Sequence, residues 1–135
     1  MDFRGIMPNN IEAVLWDMDG VLVDSEPYWL QARTEFAAEL GKQWGDAEHR
    51  LCMGRATLEW ADVMREVLGV PRTKEDIAAD IIARIIRHYE QRLPLRPGAV
   101  EAVNLCATRY RVGLASGSPT AVIQRVLSLT GLDKV

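Results

Sequence analysis

The sequence predicts an α/β chain in which two short parallel strands are separated by an inserted block of four helices. Three observations point there. An apolar run, Val14-Leu15-Trp16, ends abruptly in two carboxylates one residue apart, Asp17 and Asp19, with Gly20 behind them. From residue 25 to about residue 93, apolar residues recur at helical spacing with no strand pattern between them. A strand pattern returns only at residues 111–116, and it closes in Ser116-Gly117-Ser118-Pro119.

Taken in order, residues 1–10 mix Gly5, Pro8 and a pair of Asn and read as a loose lead-in. Ile11 to Trp16, interrupted only by Glu12, reads as a strand buried on both faces. Ser25 with Pro27 behind it suits a helix start. Trp29, Ala32, Phe36 and Leu40 then form a stripe that Gly41 ends. A short second helix is expected from Asp46 to Met53, closing at Gly54, and a third carries Leu58, Ala61, Met64 and Leu68 before Gly69 and Pro71. Thr73 with Asp76 resembles a capping box, and it opens a helix striped by Ile77, Ile81 and Ile85 and by Ala78, Ile82 and Ile86 to about Arg92.

Pro94 and Pro97-Gly98 then change the pattern. Ala99 to about Thr108 is helical by its Ala99, Val103 and Cys106 row, and the second strand follows. Ser118 is placed to cap the last helix, with Pro119 at its first position. Val122, Ile123, Val126 and Leu127 fill one face of that helix, and Gly131 ends it.

The totals bound the function. At 135 residues, 48% hydrophobic and 26% charged, the chain has the composition of one ordinary globular domain. A net charge of -3 offers no basic field for nucleic acid and no polybasic anchor for a membrane, and no stretch approaches the apolar length of a span. Met1 to Asn10 lacks a signal-peptide core, so a cytoplasmic protein is expected. Cys52 and Cys106, in helical segments without metal-ligand spacing, fit free thiols. His49 and His88 stand in no ligand pattern and are expected at the surface or at an interface.

Where a strand of an open sheet ends, ligands bind. Asp17 and Asp19 at such an end can share a divalent cation held by hard oxygen ligands, so that one carboxylate attacks while the other handles a proton. The stretch Asp17-Met18-Asp19-Gly20-Val21-Leu22-Val23-Asp24-Ser25 resembles the first motif of the haloacid dehalogenase superfamily of phosphatases and phosphomutases. That resemblance implies an incomplete Rossmann-like core, residues 1–24 and 94–135, with a helical cap over residues 25–93.

The resemblance also implies the roles. Asp17 becomes the nucleophile that forms an aspartyl-phosphate, Asp19 the group that protonates the leaving alkoxide and later activates water, and both hold Mg²⁺, Asp19 through its backbone carbonyl. A halide leaves without a proton and an alkoxide needs one, so Asp19 favours a phosphoryl substrate over a haloacid. Ser116 and Gly117 look like the family's second motif and, with Gly20, make up the expected phosphate-binding set. A hydroxyl, a glycine and a helix N-terminus there form an anion site in their own right, although the same four residues also make an ordinary strand-to-helix turn. Gly54-Arg55 followed by Glu59 resembles the family's specificity loop, with Arg55 as a clamp on the substrate; a solvent-facing Arg at a helix start is the other reading.

The implied function is a Mg²⁺-dependent phosphatase for a small phosphorylated metabolite such as a sugar or polyol phosphate, with a sugar phosphomutase or an inactive remnant that only binds as alternatives. The family's Lys and acidic motifs, expected beyond the second motif, find no match among Gln124, Arg125, Asp133 and Lys134. A truncated chain with little turnover is therefore expected.

Overall fold

The computed structural model describes residues 10–135, so the lead-in expected over residues 1–10 lies, Asn10 apart, outside the described residues. β1 (Ala13–Trp16) and β2 (Arg111–Leu114) form a parallel pair, with Ala13 opposite Arg111 and Trp16 opposite Leu114. The ladder extends one bond past each end, from Arg111 N–H to the Glu12 carbonyl and from Ala115 N–H to that of Trp16. Between the strands run α1 (Glu26–Glu39), α2 (Asp46–Cys52), α3 (Thr57–Leu68), α4 (Lys74–Gln91) and α5 (Ala99–Ala107). α6 (Thr120–Thr130) and a short 3₁₀ turn, Leu132–Lys134, follow β2.

β1 differs from the doubly buried strand expected of it. Leu15 is 73% exposed, and the strand alternates between exposed and half-buried residues. A continuous apolar run does not distinguish the two faces of a strand; what packs on each face does, and in this structure one face meets solvent.

The helices end where the local chemistry says they should. Gly41, at φ 69°, closes α1 with Lys42 N–H bonded to the Ala37 carbonyl and Gly41 N–H to that of Ala38. That pairing satisfies two of the carbonyls a helix end would otherwise leave free, and it needs a left-handed residue at that position. Thr73 Oγ1 accepts from Asp76 N–H at the start of α4, as the Thr73 and Asp76 spacing predicts. Glu48 and Glu59 reach back to the N–H groups of Gly45 and Ala56 at the starts of α2 and α3. Ser25, expected as a cap, makes no such bond and is buried.

α4 is the central element of the apolar interior. Its Ile77, Ile81 and Ile85 are fully buried, against α1 and α3 on one side, while its C-terminal end meets α6. In α3 the buried residues are Trp60, Ala61, Met64 and Leu68, and Leu58 is left exposed. The chain crosses twice between strand region and helical segment, and the two crossings are zipped together. Asp24 N–H bonds to the Pro94 carbonyl and Arg96 N–H to that of Leu22, each at 2.8 Å. Arg96 also pairs with Asp24 at 3.5 Å. No helix among the described residues is long and apolar enough to cross a membrane.

Candidate functional site

The Asp17-Met18-Asp19 step is held by its middle residue. Met18 is fully buried, and its carbonyl accepts from the N–H groups of Leu22 and Val23 at 2.9 and 3.1 Å. Gly20, at φ 79°, donates to the Val23 carbonyl. A left-handed residue costs a non-glycine side chain about 1–2 kcal/mol, which explains a glycine at this tight turn. With Met18 anchored in the core, the carboxylates on either side of it both line a cavity of about 470 Å³.

Asp17 is exposed, and one of its oxygens accepts the Met18 N–H at 2.7 Å. Asp19 is more enclosed. Its Oδ2 accepts from the Ser118 hydroxyl and lies 3.5 Å from the Ser116 hydroxyl, while its Oδ1 is buried without a hydrogen-bond partner among the described residues. Ser116 Oγ in turn accepts the Ser118 N–H at 3.1 Å. One oxygen of Asp19 is thus fixed by the end of β2 and the other is left for chemistry.

The cap expected at Ser118 is a correction. Ser118 makes no bond to the α6 backbone; Pro119 occupies the N-cap position and the Ser118 side chain turns to Asp19 instead. A hydroxyl binds an ionised carboxylate more strongly than a neutral N–H donor, so the charged partner wins.

The cavity brings together Asp17, Asp19, Gly117 and Arg55, four of the residues singled out from the sequence. Ser116 reaches the site through Asp19 and is not itself in the cavity wall, and Gly20 shapes the turn behind it. Arg55 lines the wall with its Nε bonded to the Leu51 carbonyl at 2.7 Å. Glu59, part of the same sequence pattern, serves as the cap of α3.

The same lining carries residues that pattern reading missed. Arg33 of α1 is 5% exposed and lies over the rings of Trp29 and Trp60, 5.4 and 4.9 Å from their centroids. Its Nη1 bonds to His49 Nδ1 at 2.9 Å, and His49 Nε2 bonds to Glu26 at 3.1 Å. His49, expected at the surface or at an interface, is buried among these partners. The signal for Arg33 was a cation inside the apolar stripe of Trp29, Ala32 and Phe36. Tyr89 of α4 is buried nearby; burial first, then the Asp19 charge, push its pKa up, while a hydrogen bond with Ser25 acts the other way.

A divalent cation suits the donor set. Mg²⁺ is commonly held by one or two carboxylates, with water and substrate phosphate completing its shell. Asp17 supplies an exposed carboxylate and Asp19, in the same cavity lining, a backbone carbonyl, and among the described residues no group of three or more His, Cys, Asp or Glu forms a closed metal cage.

Comparison with known proteins identifies the family. The family profile described as haloacid dehalogenase-like hydrolase matches residues 11–135. The chain is 34% identical to hexitol phosphatase B of Escherichia coli (strain K12) over 129 residues, 93% of this chain and 58% of that protein. It is 31% identical to a phosphorylated carbohydrates phosphatase of Thermotoga maritima over 125 residues, 92% of this chain and 58% of the relative. Among solved structures, a HAD hydrolase, family IA, variant 3, from Entamoeba histolytica superposes with a TM-score of 0.74 at 20% identity, covering 92% of this chain and 57% of that one. The chain thus spans about 58% of the length of the curated relatives it matches.

Proposed function

The chain belongs to the haloacid dehalogenase-like hydrolases, and from that premise we propose that it is a Mg²⁺-dependent phosphatase for a phosphorylated sugar or polyol, with α1–α4 as its cap. The supporting observation is that Asp17 and Asp19 share one cavity wall while the Ser116-Gly117-Ser118 turn at the end of β2 meets them there. The phosphatase names of the relatives in Escherichia coli and Thermotoga maritima support the reaction and the substrate class.

In this reading an Asp17 oxygen attacks phosphorus in line with the ester oxygen, and the P–O bond to the alcohol breaks as the aspartyl-phosphate forms. Asp19 gives its proton to the departing alkoxide. It then takes one from the water that hydrolyses the acyl phosphate, which returns Asp17 to a carboxylate. The Ser116 hydroxyl, the Gly117 backbone and the N-terminus of α6 hold phosphate oxygens, with Gly20 shaping the turn on the other side. Arg55 contacts the substrate from the cap. The Asp17 carboxylate and the Asp19 backbone carbonyl would hold Mg²⁺, which when bound neutralises charge on the phosphate oxygens.

The test is phosphate release from glucitol 6-phosphate with and without Mg²⁺. Release that requires the metal and is abolished in Asp17→Asn supports the proposal. Isomerised substrate without net release replaces it with a phosphomutase, and metal-independent release in Asp17→Asn overturns it.

A further inference from the structure

Two buried arginines in the helical segment are treated in opposite ways. Arg84 of α4 is 7% exposed and is surrounded by carboxylates: it bonds to Asp80 and Glu39, and Glu35 lies 3.9 Å away. Arg33 is 5% exposed, yet no carboxylate among the described residues lies within ion-pair distance of it, and its Nε is buried without a hydrogen-bond partner. A buried guanidinium is normally paired, because taking the charge out of water is costly.

The neighbours of Arg33 compensate its charge only in part, Glu26 from a distance. Arginine can only donate, so His49 Nδ1 is the acceptor in their bond, and His49 Nε2 carries the proton given to Glu26. His49 therefore stands as a neutral imidazole between the guanidinium and a half-exposed carboxylate. The faces of Trp29 and Trp60 offset part of the desolvation and hold the guanidinium in place. Burial lowers the pKa of Arg33 from its ordinary value, the direction expected of a cation short of counter-charge.

Arg33 also lines the same cavity as Asp17 and Asp19. The cavity thus joins the Asp17 and Asp19 carboxylates of the strand side to a buried guanidinium on α1 that no carboxylate pairs directly, since Glu26 in the same lining reaches Arg33 only through His49. We propose that Arg33 is a second anion subsite, so that the substrate is a phosphorylated carbohydrate with a second anionic group, a carboxylate or a phosphate, remote from the ester that is cleaved. This rests on the phosphatase reading and narrows its substrate class. The volume, about 470 Å³, is within the range of small-ligand sites and suits a sugar-sized skeleton spanning the two ends.

Three probes on one six-carbon skeleton test it: glucitol 6-phosphate, 6-phosphogluconate and glucitol 1,6-bisphosphate, which end in a hydroxyl, a carboxylate and a phosphate. Calorimetric titration of the full chain with Mg²⁺ present should show one or both doubly anionic probes binding about tenfold or more tightly than glucitol 6-phosphate, the size of one charge-assisted contact. Which of the two is preferred tells carboxylate from phosphate. Arg33→Met should bring all three within about twofold while inorganic phosphate binding is unchanged, and Arg33→Lys should keep the preference in part. If Arg33→Met does not fold, the native ranking and the Lys variant decide. Phosphate binding without any native preference, or a preference that survives in Arg33→Met, overturns this proposal alone. Failure of phosphate and all three probes to bind overturns the phosphatase reading and this one with it.

Discussion

Ser118→Ala removes the hydroxyl that donates to Asp19 Oδ2 and leaves the local backbone bond intact, because the Ser118 N–H still reaches Ser116 Oγ at 3.1 Å. What remains on that carboxylate oxygen is Ser116 Oγ at 3.5 Å, a long contact, while Oδ1 has no partner among the described residues to take up the slack. A hydrogen bond to an ionised group contributes about 1.5–3 kcal/mol. At about 1.4 kcal/mol per tenfold in rate, a carboxylate that must stay aimed at the leaving oxygen then loses about 10- to 150-fold in kcat. The lower end is expected, since Ser116 can change rotamer and shorten its own contact. KM should move less than about threefold, because no atom assigned to phosphate binding is removed. The assay is Mg²⁺-dependent phosphate release from glucitol 6-phosphate over a range of concentrations, with Ser118→Thr as the variant that keeps a hydroxyl and should keep most of kcat. Native kcat in Ser118→Ala, or a loss carried by KM alone, would refute the idea that this hydroxyl positions Asp19.

Tyr89→Phe deletes a buried hydroxyl that interacts with Ser25, so stability should fall by about 0.5–1.5 kcal/mol; an unchanged or raised melting temperature would mean that the hydroxyl makes no bond. The Arg84 hydrogen bond holds the Glu39 carboxyl below its ordinary 4.5. A carboxyl lowered in the folded state gives stability that is present above the unfolded value and is lost as pH falls through the folded one. The native melting temperature should therefore drop more steeply than that of Glu39→Gln as pH is lowered below 4.5, and parallel curves would argue against the linkage. Gly113→Ala places a methyl 2.9 Å from Leu15 Cδ2, the far end of a side chain that is 73% exposed and free to swing away. With about 0.5–1 kcal/mol of glycine backbone entropy recovered, the expected outcome is a neutral or slightly raised denaturation midpoint. A loss above about 1 kcal/mol would show that Leu15 is held in place.

What the sequence determined alone was whatever local spacing and turn chemistry control. The order of strand, four helices, helix, strand and helix is the order found. Thr73 caps α4, and Gly41, Gly69 and Gly131 sit at left-handed helix ends, because those conformations suit few other residues. The Asp17 and Asp19 pair was legible because an apolar run cannot continue as a buried strand through two carboxylates.

Tertiary structure decided which side chains meet. Ser118 had two possible partners, a nearby backbone N–H and a carboxylate 99 residues away, and only the packing of β2 beside β1 brings the second within reach. His49 looks polar and peripheral in the sequence, but Arg33 and Glu26 of α1 draw it inside. Leu15 reads as core and is exposed, since a run of apolar residues does not say what lies against each face. Periodicity is a property of one element at a time, whereas the pairing of charges, hydroxyls and cavity walls depends on elements far apart in sequence being packed together.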